Sequence, residues 1–394
     1  MKTLVSFCCL ITTTLFSQGV YQNSGVQVNL KTIAIVSDQI IYVGGAQGVH
    51  LKTTNGGDTW TELPTFSTSN SKALSFVSSN IGYACVSYNI SGQTPHAAIY
   101  KTTNGGATFD SLTLAGNHLP FYTHFINELI GFYTCLDGTF KTIDGGQNWL
   151  IVDQTPIDLI YFPTDLIGYG VTLSHQLIKS VDGGENWIIM GDLSNGEFYT
   201  DLTFPSTEIG YTCSSYYGAY GSTLDGGQTI SIGSFGAHSI HFPSTTTGYY
   251  LRYDQFSDST LLIYTHNTGQ NWDTLFSSSS KLNRIRFATS STGWAVGDNG
   301  TILKISNSTA ELSVIDEHDK IVIYPNPTSE YIFIEIENDI QLEEVTLFNL
   351  NDKFIKKSEI NNMTISDLDS GIYSLKIKTS KGVITRKIVI THTK

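Results

Sequence analysis

The chain has few of the residues on which disulfide-bonded or metal-binding domains depend. Its 394 residues include five cysteines and three methionines, and Cys8 and Cys9 lie in an apolar leader. The other cysteines are Cys85, Cys135 and Cys213, each two residues after a tyrosine. We expect them to occupy the same place in three structural repeats, as small buried apolar side chains rather than disulfides. The ten histidines show no ligand spacing, so the sequence predicts no metal site and no cofactor.

Long apolar runs are missing after the first residues. Lys2, the apolar stretch over residues 4–16 and a cleavage point between Ser17 and Gln18 are typical of a signal peptide, predicted to span residues 1–17. No later run approaches the roughly 20 apolar residues of a membrane-spanning helix. The sequence therefore predicts an exported protein without a transmembrane segment.

Basic residues are also scarce. The net charge is −13, and residues 18–309 contain 11 basic and 21 acidic side chains without a basic stripe. Nucleic acids and anionic membranes need a positive surface. The charge balance excludes both as partners.

What the chain does contain is one motif in seven copies. Good copies read KTTNGGDTW, KTTNGGATF, KTIDGGQNW and KSVDGGENW, and a decayed seventh copy lies around Asn307. The Asn/Asp position recurs every 38 to 49 residues. Short alternating strands, turn signals and a period near forty are typical of four-stranded blades in a radial array. We predict an all-β fold, a seven-bladed β-propeller over residues 18–312.

The motif predicts a tight hairpin turn between the third and fourth strands of each blade. Asn or Asp accepts backbone N–H groups, Gly supplies a positive φ, and Trp packs on the preceding strand. These structural positions are Asn55, Gly57 and Trp60; Asn104 and Gly106; Asp144, Gly146 and Trp149; Asp182, Gly184 and Trp187; Asp225 and Gly227; Asn267 and Trp272.

The hairpin resembles the Asp-box, or bacterial neuraminidase repeat. Together with glycine-aromatic pairs such as Gly82–Tyr83, which we expect to begin the second strand, it is similar to the propeller family of photosystem II assembly factors. The resemblance covers residues 30–312. It implies the fold and leaves the activity open, because the box occurs in propellers of many functions.

A second domain follows a polar linker at residues 313–319. Residues 320–394 form a compact β-sandwich pattern, with Tyr324-Pro325-Asn326-Pro327, the segment Asp369 to Tyr373, and a closing strand over residues 386–390. These motifs resemble the C-terminal sorting domain of the type IX secretion system of Bacteroidetes. The resemblance implies the secretion machinery as a partner and delivery to the cell surface or beyond.

Two functions remain open for the propeller. The arginines Arg252, Arg284 and Arg286 all lie in the last two blades, which argues against a sialidase. A polysaccharide hydrolase needs two facing carboxylates, and Asp192, Glu197, Asp201, Asp254 and Asp258 are the acids that the repeat does not explain. The preferred hypothesis is a non-enzymatic binding or assembly module for a glycan or a protein; the alternative is a xyloglucanase-like hydrolase using Asp192, Glu197 or Asp254.

Strand order places the box turns and the first turns of the blades on one face, and the remaining loops on the other. The longest of those loops are rich in tyrosine, whose apolar plane and polar tip suit binding. The predicted ligand-binding residues are Tyr88, Tyr216, Tyr217, Tyr220, Arg252 and Tyr253. We also expect residues 20–30 to add a strand to the last blade and close the ring.

Overall fold

The computed structural model describes residues 18–88, 96–114, 118–193, 198–214, 219–234, 236–254, 258–306, 321–324, 328–336, 341–349, 353–358, 360–379 and 382–391. The predicted signal peptide, the linker and the decayed seventh box from Asn307 onward lie outside these residues. The chain divides into two compact units, residues 1–307 and 308–394.

The first unit consists of seven four-stranded antiparallel sheets. The first strand of the described residues is β1 (Gln18–Gln22). Blade 1 contains β2 (Leu30–Ile35), β3 (Ile41–Gly45), β4 (His50–Thr53) and β5 (Thr61–Glu62). Blade 2 contains β6 (Asn70–Phe76), β7 (Gly82–Tyr88), β8 (His96–Thr102) and β9 (Asp110–Ser111). Blade 3 contains β10 (Tyr122–Phe125), β11 (Gly131–Cys135), β12 (Gly138–Thr142) and β13 (Leu150–Asp153).

The later blades repeat this order. Blade 4 contains β14 (Ile157–Tyr161), β15 (Gly168–Thr172), β16 (Gln176–Ser180) and β17 (Ile188–Asp192). Blade 5 contains β18 (Tyr199–Thr203), β19 (Gly210–Ser214), β20 (Ala219–Thr223) and β21 (Ser231–Ser234). Blade 6 contains β22 (Ala237–His241), β23 (Gly248–Asp254), β24 (Ser259–Thr265) and β25 (Asp273–Ser278). Blade 7 contains β26 (Leu282–Phe287), β27 (Thr292–Gly297) and β28 (Ile302–Ser306). Single 3-10 turns lie at Ala46–Gly48 and Asp298–Gly300.

The ring closes through the start of the chain. The inner strands of the blades neighbour one another in cyclic order, with β26 next to β2. Strand β1 pairs with β28 from Gln18–Ser306 to Gln22–Ile302 and supplies the outer strand of blade 7. This confirms the expected closure, although the strand spans residues 18–22 rather than 20–30. Gln22 extends the closure to blade 1, because its side chain accepts the Trp60 Nε1–H at 3.1 Å.

Each box turn is built from side-chain to backbone hydrogen bonds. In blade 4, Ser180 Oγ accepts the Gly184 N–H at 2.8 Å and donates to Asp182 Oδ1 at 2.8 Å. Asp182 also accepts the Asn186 N–H at 3.0 Å. The Gly183 N–H donates to Leu166 O in the first turn of the same blade, at 2.8 Å. The box turn and the first turn therefore share a face, as the sequence predicts.

A ring of aromatic stacks joins neighbouring blades. A Cβ on Gly82 would collide with the Phe76 ring of its own blade, so only glycine lets that ring lie against the second strand. Phe76 stacks in turn on Tyr42 of blade 1, with ring centroids 3.5 Å apart. The Tyr83–Phe125 pair between blades 2 and 3 repeats this contact at 3.3 Å. The glycine-aromatic signature thus encodes packing between blades as well as the start of a strand.

The same tyrosines donate hydrogen bonds to the next blade. Tyr83 Oη donates to Glu128 O at 3.0 Å, and Tyr169 Oη donates to Thr207 O at 2.6 Å. Equivalent bonds come from Tyr42, Tyr211 and Tyr249. The hydroxyl gives each fully buried ring a partner for its only polar atom.

One expectation about the cysteines is wrong. Cys85 and Cys213 lie three residues after the glycine that begins the second strand, whereas Cys135 lies four residues after Gly131. Because successive strand residues point to opposite faces, Cys135 faces the other side of its blade. All three cysteines are free and buried, as expected.

The second unit has two antiparallel sheets. One contains β29 (Ile321–Tyr324), β30 (Tyr331–Ile336) and β33 (Asn362–Thr364), and the other contains β31 (Leu342–Asn349), β32 (Phe354–Ser358), β34 (Gly371–Thr379) and β35 (Gly382–Ile390). Ile332, Ile334, Val345 and Leu347 are buried in their shared core. The predicted fold class, an all-β propeller followed by a small β-sandwich, is confirmed.

Candidate functional site

Residues of the seven inner strands line a cavity on the axis of the propeller. The last residue of each inner strand, or the phenylalanine that follows the strand, packs between blades. Because side chains alternate along a strand, the residue before this packed residue faces the axis. The cavity has a narrow part of about 150 Å³ and a wider part of about 360 Å³. Both parts are lined by Ile33, Leu74, His124, His241 and Arg286, so they form one axial channel.

The channel is rich in cations although the protein is acidic. Lys72, Arg284 and Arg286 line its narrow part, against a single carboxylate, that of Asp201. The surrounding propeller has nearly twice as many acidic as basic side chains. Positive charge is therefore concentrated at the axis, where low-dielectric walls strengthen its field.

Asp201 organises the two arginines. Its Oδ1 accepts Arg286 Nη2–H at 2.7 Å, and its Oδ2 accepts Arg286 Nη1–H at 2.9 Å. Ser239 Oγ and the Ile240 N–H donate to Oδ2 at 2.8 and 3.0 Å. Burial opposes ionisation, but the two guanidinium groups and these donors hold the pKa of Asp201 well below its usual range.

Arg284 keeps donors for another acceptor. Its Nη1 contacts Thr200 O at 2.8 Å and Asp201 Oδ2 at 3.1 Å. Its Nη2 and Nε have no protein acceptor among the residues that the structure describes. The side chain is 24% exposed. A guanidinium with unused N–H groups at a cavity wall can hold a carboxylate or another anion.

Uncharged polar rings complete the wall. Burial lowers the pKa of His124 to about 4 and that of His241 to about 3, so both imidazoles are neutral at pH 7. His241 Nδ1 accepts the Phe287 N–H at 3.2 Å, which leaves Nε2 to carry the proton. Tyr122 Oη donates to Ile160 O at 3.3 Å, and burial raises its pKa to about 12. These groups add hydrogen-bonding capacity without adding charge.

Asp158 is the acid in this region with the opposite shift. It lies on β14, one residue before the channel residue Leu159, and burial raises its pKa to about 6. A carboxyl group with such a pKa is partly protonated near neutral pH. It is therefore suited to donate a proton, which Asp201 is not.

The predicted tyrosine-site residues whose side chains the structure describes, Tyr220, Arg252 and Tyr253, do not line the channel. Tyr216 and Tyr217 lie outside the described residues, as does the side chain of Tyr88. Tyr220 is 7% exposed and packs with Tyr211 between blades 5 and 6, so its ring serves the core. Arg252 and Tyr253 lie together on β23, and Tyr253 Oη contacts Asp258. Lys281 Nζ lies 5.3 Å from the Tyr253 ring centroid.

The acids proposed for a hydrolase are not brought together in the described part of the chain. Asp192 is exposed at the end of β17 and accepts Gln176 Nε2–H at 3.1 Å. Asp254 ends β23, and Glu197 lies outside the described residues.

Sequence reasoning missed the axial channel, although a signal was present. The position just before the isoleucine or phenylalanine at the end of the inner strand changes from blade to blade, while its neighbours repeat. Its occupants are Ala34, Ser75, His124, Tyr161, Thr203, His241 and Arg286. Variation at a fixed register position on a repeated strand is what a single site on the axis requires. Asp201, previously unexplained by the repeat, occupies the other axial position of β18.

These features define a closed seven-bladed β-propeller with a polar, cation-rich axial channel. Its C-terminal residues 322–391 match the sequence model of a family described as the secretion system C-terminal sorting domain. The chain therefore carries a type IX sorting domain and is a secreted or cell-surface protein that uses the secretion machinery through this domain. Within the described residues, no helix has the length and apolarity to cross a membrane.

Solved structures agree on the fold. YCF48 bound to D1 peptide has a TM-score of 0.57 at 14% identity, over 74% of this chain and 96% of that one. The GH74 xyloglucanase from Xanthomonas campestris has a TM-score of 0.59 at 11% identity, over 92% of this chain and 59% of the enzyme. A GH74 enzyme from Niastella koreensis has a TM-score of 0.60 at 13% identity, over 94% and 74%. No curated protein sequence matches the chain. At these identities the likeness shows the fold alone.

Proposed function

We propose that the propeller is a binding module, displayed at or beyond the cell surface, whose axial channel holds an anionic group of a protein or glycan ligand. The observation that carries this proposal is the concentration of Lys72, Arg284 and Arg286 around one carboxylate in an acidic propeller. An excess of positive charge at the axis favours the binding of a negatively charged group of the ligand.

The geometry supports a small anionic group rather than a large one. The narrow part of the channel has a volume of about 150 Å³, which suits a carboxylate and a few attached atoms. Arg284 offers Nη2 and Nε, and Lys72 offers an ammonium group. A C-terminal carboxylate of a peptide and a uronic acid of a glycan share this chemistry. Among propellers of similar fold, one is described with a bound peptide and others as glycoside hydrolases.

The experiment compares acidic and neutral ligands. The purified protein is tested on a glycan array and on peptides with a free or amidated C-terminus. We expect binding to carboxylate-bearing members and weaker binding at high salt. Lys72→Ala should weaken that binding at least several-fold, since Lys72 is exposed and its loss disturbs no core.

Lys31 gives the matched control. It is 45% exposed on the inner strand of blade 1, lies 3.9 Å from Asp298 and is not part of the channel lining. Lys31→Ala should leave binding unchanged. Equal binding of amidated and free peptides, or of neutral and acidic glycans, would contradict an anion site. If Tyr216→Ala/Tyr217→Ala abolishes binding and Lys72→Ala does not, the tyrosine loops form the site instead.

A polysaccharide hydrolase is the second candidate, favoured by the raised pKa of Asp158. Its carboxyl group, with a pKa of about 6, is a suitable general acid beside the channel. Incubation with xyloglucan and other polysaccharides, followed by reducing-end analysis, tests this candidate. Activity that is lost in Asp158→Asn would favour it, and activity lost only in Asp192→Asn or Asp254→Asn would move the site to the loops.

A further inference from the structure

Three metal-ligating side chains meet on blade 3, away from the axial channel. His118 precedes β10, Cys135 ends β11, and Asp137 lies in the turn between β11 and β12. A ring nitrogen, the thiol sulfur and a carboxylate oxygen from these residues all lie within 4.8 Å of one another. They belong to the loop face of the propeller, opposite the box turns.

The separations are close to those around a bound zinc ion. His118 Nε2 lies 3.7 Å from Asp137 Oδ2, and Cys135 Sγ lies 4.0 Å from the same oxygen. Ligand atoms around tetrahedral zinc, with bonds of about 2.0–2.3 Å, lie roughly 3.3–3.8 Å apart. The third separation, between the His118 nitrogen and the Cys135 sulfur, lies within 4.8 Å, so a movement of up to about 1 Å would complete the site. The Asp137 side chain, 68% exposed, is free to follow it.

A fourth residue orients the histidine. Tyr133 Oη lies 3.0 Å from His118 Nδ1, and the Tyr133 ring is fully buried. This contact fixes the ring plane and turns Nε2 toward Cys135 and Asp137. Zinc-binding histidines characteristically use their second nitrogen for such a bond.

The register of β11 explains why this blade alone has the thiol in this place. Cys135 is shifted by one residue relative to Cys85 and Cys213, so it lies on the same side of the blade as Tyr133. With Tyr133, Cys135 and Asp137 at alternate positions, the end of β11 and its turn offer two ligands and the orienting hydroxyl.

We propose that His118, Cys135 and Asp137 form a zinc site that ties the loop before blade 3 to the turn between β11 and β12. Nitrogen, thiolate and carboxylate ligands together suit Zn²⁺ better than Mg²⁺ or Ca²⁺, which prefer oxygen. Three protein ligands leave one tetrahedral position for water or for a ligand group. A catalytic thiol is a poorer explanation, because Cys135 is 1% exposed and both nitrogens of His118 face other groups.

The test uses the full-length protein after treatment with a chelator. Added Zn²⁺ should bind in a ratio of one per chain and raise the melting temperature, whereas Mg²⁺ should do neither. Added Co²⁺ should give a thiolate-to-cobalt charge-transfer band, which reports Cys135 as a ligand. Asp137→Asn, at an exposed position, should weaken Zn²⁺ binding at least tenfold without affecting folding.

Two further variants separate ligation from packing. Cys135→Ser should remove the cobalt band, and Cys213→Ser, at a buried thiol in another blade, should retain it. Tyr133→Phe keeps the ring and should weaken Zn²⁺ binding by about tenfold, as expected for an orienting partner. The proposal is overturned if the wild-type protein binds no stoichiometric Zn²⁺, or if Asp137→Asn and Cys135→Ser bind it as tightly as the wild type.

Discussion

Arg286 and Asp201 form a two-bond ion pair between blade 7 and blade 5, whose inner strands are separated in the ring by that of blade 6. The two N–O distances are 2.7 and 2.9 Å, and the Asp201 side chain is 4% exposed. Through Ser239 and Ile240 the same carboxylate also contacts blade 6. One acid therefore connects three consecutive blades at the axis.

Removal of one partner of this pair should destabilise the propeller. Arg286→Gln leaves a buried carboxylate with one arginine fewer, and we expect a loss of about 3 kcal/mol in the free energy of unfolding. Urea denaturation measures the loss. Arg252→Gln on blade 6, outside the channel lining, should change stability by less than about 0.5 kcal/mol. Equal effects of the two substitutions would show that the ion pair does not stabilise the ring.

Buried histidines should make stability depend on pH in the weakly acidic range. His124 has a pKa of about 4 in the folded protein, lowered by burial from the ordinary value of 6.5. Between these values the unfolded chain binds the additional proton, so stability rises with pH from about 4 to 6.5 and is lost on acidification. Melting temperatures across this range should show a shallower slope for His124→Phe, while His266→Phe, at an exposed position, should follow the wild type. Parallel slopes for all three proteins would refute the assignment to His124.

Within a box turn, the buried hydrogen bond should matter more than the exposed ones. Ser180→Ala leaves the buried Gly184 N–H without its acceptor and should cost about 1–3 kcal/mol. Asp182→Ala removes bonds to exposed groups of Glu185 and Asn186, which water can replace, and should cost less than about 1 kcal/mol. Chemical denaturation of both variants gives the order. Neither substitution should change ligand affinity, and a larger cost for Asp182→Ala would reverse this reading of the turn.

Ring closure by β1 should be measurable as thermal stability. Deletion of residues 18–22 exposes the edge of β28 and removes the Gln22–Trp60 hydrogen bond, so we expect the melting temperature to fall by several degrees. Gln22→Ala keeps the strand and should give a smaller decrease. An unchanged melt after the deletion would mean that β1 contributes nothing to closure.

The propeller should fold without the sorting domain. A chain truncated near Ser313 should be soluble and melt cooperatively at the temperature of the full-length propeller, because each unit has its own core. Calorimetry of both chains provides the comparison. An insoluble or molten product would indicate a shared core. The same truncation should abolish export from a cell with a type IX system.

The repeats made the fold predictable, whereas the site depends on relations that no local pattern contains. The box and the glycine-aromatic pairs recur in sequence because each satisfies the same local geometry in its own blade. The Asp201–Arg286 pair joins residues 85 positions apart, and only ring closure brings them together. His118 lies 17 residues before Cys135, and no spacing in the sequence shows that their side chains meet. The alternation of side chains along an inner strand also looks the same in the sequence whether the second face of the strand lines a core or a channel.

The tyrosine hydroxyl bonds give the ring a direction. In five blades the tyrosine of the second strand donates to the blade that follows. Blade 3 has Phe132 at this place and blade 7 has Trp294, whose Nε1–H has no acceptor among the described residues. These bonds therefore link blades 1 to 3 and blades 4 to 7, and they are missing between blades 3 and 4 and between blades 7 and 1. Blades 3 and 4 are joined by continuous chain, whereas the junction of blade 7 with blade 1 is made by packing and by β1 and Gln22 from the start of the propeller. We expect the ring to open first there, so that amide hydrogens of β1 and β28 exchange with solvent sooner than those of the other outer strand pairs.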